Sequence, residues 1–219
     1  VTAALARPAI SGPGHSAAHD HGHGHGHSGA PIAPDDVMAY LNGRPIPRTL
    51  LDERLAALRS GDAACVLPKP GSREARQLTR WVAQVIITEQ LCHDELSRRT
   101  DVIPEPAARP LDVSAAIAVG SITAAALAGS EPVRRVAALV SAGVAIPREQ
   151  LEYAADVLGV PAPADPDVPV DRWHAELLDS ARLEAFARWL NRAMHERVQL
   201  VHGLEHPGDS NQPDNLHRH

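Results

Sequence analysis

Between Ser72 and Arg99, Leu78, Val82, Val85, Ile86, Cys92 and Leu96 recur at close to 3.6-residue spacing, which predicts one long amphipathic helix. Ser72 is placed to cap its start, and Arg98 and Arg99 suit the negative end of its dipole. A helix of that length cannot bury its apolar face alone, so the remaining chain has to supply partners. What it offers is mostly Ala and Leu, because aromatic residues make up 3% of the sequence and include a single Phe. Those residues favour helices and let them approach closely, so the expected fold class is mainly α, a helical bundle.

The same rules place the other elements. Pro47 opens a helix to about Ser60, with Leu51, Leu55 and Leu58 on one face, and Gly61 closes it. Asp62 to Gly71 reads as a loop. Beyond a linker marked by Pro104, Pro106 and Pro110, helices are expected at about 113–128, 131–142 and 147–158. Pro161, Pro163, Pro166 and Pro169 impose an extended connector. A final helix follows at about 171–197, its buried stripe expected at Trp173, Leu177, Ala181, Ala185, Trp189 and Ala193.

Asn42-Gly43 between two apolar runs is the signature of a type I′ hairpin, with Pro45 confining its second strand to an edge. A lone hairpin is unstable, and Val198–Val201 reads as the strand that completes it. Antiparallel pairing there would bring both ends of the body to one end of a small two- or three-stranded sheet. The expected organisation is a disordered His/Gly-rich arm at 1–36, a helical body at 37–201 and a His/Asp-rich tail at 202–219.

Charge and composition exclude several function classes. The net charge is −6 and Lys69 is the single Lys, so no basic face is available for nucleic acid. No apolar run reaches the roughly 20 residues of a membrane helix. Val1–Pro8 is too short and too interrupted for a secretory signal, and Cys65 and Cys92 make no disulfide framework, so a cytoplasmic location is expected. Cys92 reads as a core residue, and Cys92-His93 and Asp94-Glu95 as side chains pointing different ways that share no site. His174 and His195 read as helix-surface residues. Phosphate-binding Gly loops, a dinucleotide fingerprint and a His-Glu-x-x-His motif are absent from the sequence.

Two clusters carry the chemistry. His15, His19, His21, His23, His25 and His27 alternate with Gly or small residues around Asp20, so a pliable backbone can turn several imidazoles toward one ion. At the other end, His202, Glu205, His206, Asp209, Asp214, His217 and His219 fall within eighteen residues broken by Pro and Gly. Glu205, His206 and Asp209 belong to a Glu-His-Pro-Gly-Asp turn. Mixed imidazole and carboxylate donors suit a divalent transition metal, with Zn, Ni, Co, Cu and Fe not distinguished. In a catalytic version Glu205 or Asp209 would be the general base.

The hairpin Val37-Met38-Ala39-Tyr40-Leu41-Asn42-Gly43-Arg44-Pro45-Ile46 through Leu58, the helix Leu78–Leu96, and Ile146-Pro147-Arg148-Glu149-Gln150-Leu151 resemble the helical N-terminal part of parvulin-type prolyl isomerase chaperones, over about half the chain. The resemblance implies a chaperone-like body whose core a distant C-terminal segment completes. Where that family carries its isomerase domain, this chain has only the Pro-rich connector. The tail Glu205–Asp209 with Gln212–Asn215, His217 and His219 resembles small uncharacterised actinobacterial proteins, some of them associated with natural-product pathways.

The leading expectation is therefore a metal-binding accessory protein with a chaperone-like helical body. A small metal-dependent enzyme of bacterial natural-product biosynthesis and a degenerate parvulin-type chaperone binding polypeptide are the alternatives. The expected partners are a metal ion, with a client protein or small-molecule substrate and a second copy of the chain as further candidates, and neither nucleic acid nor membrane.

Overall fold

Asn42 and Gly43 both sit at positive φ, +51° and +76°, as a type I′ reversal requires. The computed structural model describes residues 34–99, 111–165, 169 and 171–209. The turn joins β1 (Val37–Leu41) to β2 (Arg44–Pro47) with Leu41 opposite Arg44, Tyr40 opposite Pro45 and Ala39 opposite Ile46. A bulge lies between Val37 and Ala39. β3 (Val198–Leu200) pairs antiparallel along the other edge of β1, with Leu41 opposite Val198 and Ala39 opposite Leu200. The order is β2-β1-β3, so β1 starts and β3 ends at the same end of the sheet.

The rest of the structure is mainly helical, in seven α-helices among the described residues. α1 (Thr49–Ser60) starts two residues after Pro47 and buries Leu51 and Leu55. The segment expected as a loop contains a short 3-10 turn at Asp62–Val66. α2 (Arg73–Ser97) begins where Ser72 Oγ accepts the Ala75 N–H at 3.0 Å. Its 3.6-residue stripe understates its burial, because every residue from Val82 to Thr88 is buried. A helix enclosed on all sides is central, and β1, α1 and three later helices pack around it. The two polar side chains in that run are satisfied: Thr88 Oγ1 donates to the Gln84 carbonyl at 2.8 Å, and Gln84 Nε2 donates to the Leu204 carbonyl at 2.9 Å.

The helix expected at 113–128 is two, α3 (Val113–Val119) and α4 (Ser121–Gly129). Gly120 between them takes φ +83°, a conformation glycine reaches without steric cost and which redirects the axis. Trp81 Nε1 donates to Ser121 Oγ at 3.0 Å and ties that break to α2. α5 (Glu131–Val140) buries Val133 and Val136 completely. α6 (Arg148–Leu158) ends at Gly159 in the left-handed conformation usual for a helix C-terminus.

α7 (Arg172–Arg197) differs from expectation in phase. Its most buried residues are His174, Leu178, Phe186, Leu190 and Ala193, while Trp173, Leu177, Ala181, Ala185 and Trp189 are half-buried at the margin. Phe186, the only Phe, is fully enclosed and sets that phase. His174, expected at the surface, is likewise fully buried and stacks on Trp173 at 5.6 Å between ring centroids. The main core joins Met38, Leu41, Ile46 and Leu51 to Ile86, Leu91, Val136, Phe186 and Leu204. A second, smaller cluster of Ile146, Leu151 and Leu178 holds α6 to the first half of α7. No helix among the described residues is long and apolar enough to cross a membrane.

Candidate functional site

After β3 the chain turns at Gly203, φ +91°, with the Leu204 N–H donating to the Val201 carbonyl at 3.1 Å. Leu204 is 5% exposed and inserts into the main core, and its carbonyl takes the buried Gln84 amide. Burial of that side chain is worth about 2 kcal/mol. The first turn of the His/Asp-rich tail is thus anchored to α2, and its donors have defined geometry.

His202 lies wholly in solvent, and its Nδ1 is 3.2 Å from Glu205 Oε1. Glu205 is three-quarters enclosed, and its other oxygen accepts the Gly203 N–H at 2.9 Å. A carboxylate fixed in this way holds a neutral imidazole with its proton on Nδ1. The Nε2 lone pair then faces outward, which is how carboxylates orient metal-binding histidines. Glu205 thereby acts as the residue that orients His202.

His206 is arranged differently. Its Nδ1 accepts the Gly208 N–H at 3.0 Å, and its carbonyl accepts the Asp209 N–H at 2.9 Å. The neutral ring then carries its proton on Nε2, so His206 offers a lone pair to a cation only by giving up that hydrogen bond. A Cβ at Gly208 would come to 3.2 Å from the same Nδ1, so a larger residue there would press the His206 ring aside.

Among the described residues no group of three or more His, Cys, Asp or Glu side chains is placed to hold a metal ion. His202 and Glu205 are brought together, with His206 and Asp209 in the next turn. Asp214, His217 and His219 lie outside the described residues, as do His15, His19, His21, His23, His25 and His27.

A second polar constellation, which the sequence reading missed, lies at the turn end of the sheet. Asp94 is almost fully buried, and its carboxylate takes Asn42 Nδ2 at 3.0 Å, Arg98 at 2.9 Å, and both Arg44 and Arg197. Glu95 takes Arg99 at 2.9 Å and Arg197 at 2.8 Å. The expectation that these neighbours on one helix diverge is corrected here, because the Arg197 guanidinium is wide enough to reach both. The Asn42 N–H also donates to the Arg197 carbonyl at 2.8 Å. The hairpin turn and the ends of α2 and α7 therefore meet at one buried carboxylate. Nearby Cys92 is no nucleophile: burial, and then the Glu95 charge, push its thiol up to about 12 against the opposing pull of Arg197.

A model for a family of unknown function (DUF7158) matches residues 37–74, which carry β1, β2, α1 and the first residues of α2. The match includes Asn42 and Arg44 of the Asp94 constellation and none of the loop at 201–209. No curated protein and no solved structure matches the chain.

Proposed function

We propose that this chain is an accessory protein that binds divalent transition metal through its His-rich sequences, with a helical body as their support. The observation that carries this reading is the His202–Glu205 pair, an exposed imidazole oriented by a carboxylate. Two further features support it. The loop bearing the pair is pinned to α2 through Leu204, which gives one donor a fixed position. Positions 37 and 201, which adjoin the two His-rich sequences, are at the same end of the sheet.

His202 is the donor this geometry favours, through Nε2, and Glu205 sets its tautomer. Calorimetric titration of tag-free protein with Zn, Ni, Co and Cu salts tests the reading. Several ions should bind per chain, and deletion of residues 1–30 should lower that number. Glu205→Gln should weaken the His202-dependent fraction by about tenfold or more. Protein with no affinity for any of the four metals would overturn the proposal.

A further inference from the structure

α6 carries two apolar stripes where a packed helix needs one. Leu151 and Ala155 are buried against the rest of the chain. On another side, Tyr153, Ala154, Val157 and Leu158 follow the spacing i, i+1, i+4 and i+5, which aligns them along the axis, with the polar Gln150 one turn before them. Tyr153 is 72% exposed, Val157 66% and Leu158 54%. With Leu177 of α7 these residues line an open groove of about 700 Å³. A contiguous apolar strip of this kind marks a contact surface, and its spacing is that of a seam between helices.

Charge identifies the occupant. α6 holds three carboxylates, Glu149, Glu152 and Asp156, against the single cation Arg148. Arg148 is engaged by Glu152 at 2.9 Å. Glu149 lines the groove, and Asp156, seven residues on, falls on the same side of α6 as Glu149, so the charge along that one margin is acidic. Two copies of the chain meeting through this face would oppose acidic margins, and like charges across an interface are costly. A helix with apolar residues on one side and Lys or Arg on its flanks matches both features.

We infer that the Tyr153–Val157–Leu158 face of α6, with Leu177, is a docking groove for a basic amphipathic helix of a partner protein. The inference does not depend on metal binding. Its test uses the full chain in EDTA and a fluorescein-labelled Leu/Lys peptide of about three heptads, with a Leu/Glu peptide of the same pattern as control. The Leu/Lys peptide should bind, and Tyr153→Ser with Val157→Ser should weaken it about tenfold or more. Glu149→Gln with Asp156→Asn should weaken it and flatten its salt dependence. Because the replaced side chains are exposed, circular dichroism should be unchanged. Equal binding of the Leu/Glu peptide, unaltered binding by the Ser variant, or a dimer in sedimentation that the Ser variant dissolves would each overturn the inference.

Discussion

Asp94 shows how much one side chain can organise. Its carboxylate is almost fully buried and accepts donors from the hairpin turn, from its own helix and from the end of α7. Removing one partner of a buried ionic cluster leaves the remaining charges uncompensated, which typically costs about 3–5 kcal/mol. Asp94→Ala should therefore lower stability by about 3 kcal/mol in urea denaturation, far more than an exposed pair such as Arg148–Glu152 would. The two cysteines make a second residue-scale contrast. Cys65 is exposed, while Cys92 is buried and its thiol lies at about 12. A thiol reagent should titrate one cysteine in native protein and two after denaturation, and two at native rates would contradict the burial of Cys92.

At the scale of elements, the join between α2 and α7 is sensitive to acid. Burial acts to raise the Glu95 carboxyl, but hydrogen bonds from Arg99 and Arg197, together with their charges, outweigh it and hold it below its ordinary 4.5. A folded value below the unfolded one stabilises the protein above about 4.5, and that contribution disappears as pH falls through the folded value. Urea midpoints should drop over that acidic range, and Glu95→Gln should flatten this part of the profile. Glycines separate conformation from space. An added Cβ meets nothing within 4 Å at either Gly120 or Gly129, but only Gly120 has positive φ. Gly120→Ala should cost about 1 kcal/mol, and Gly129→Ala should be neutral or stabilising. Elements with a local signal were legible in the sequence: the Asn-Gly turn, the Ser72 cap and the short strand at 198–200. The kink at Gly120 was not, because Gly within an Ala-rich run is tolerated as helix until tertiary packing selects a turn. Half-buried Trp173 and Trp189 drew the α7 stripe one residue away from Phe186, since large apolar residues flank it on both sides. The Asp94 cluster joins residues 42, 94 and 197, and no local pattern announces such separations. For the His/Asp-rich tail, residue types were readable in the sequence, but the hydrogen bonds that distinguish His202, Glu205 and His206 depend on the local turns and were not.

For the whole molecule, the main core joins apolar residues from the sheet and from α1, α2, α4, α5 and α7, with Leu204, and includes none of the candidate metal donors. Chelator should leave the melting temperature unchanged, and a large fall would show that metal holds the body together. The order β2-β1-β3 has a further effect during synthesis. The central strand and its hairpin partner, residues 37–47, are made early, but the other edge of β1 waits for Val198–Leu200, after every described helix has been made. Until then a nascent chain displays an unpaired strand edge open to neighbouring chains. Translation that stops short of Val198 should therefore yield insoluble protein, although every helix is already encoded.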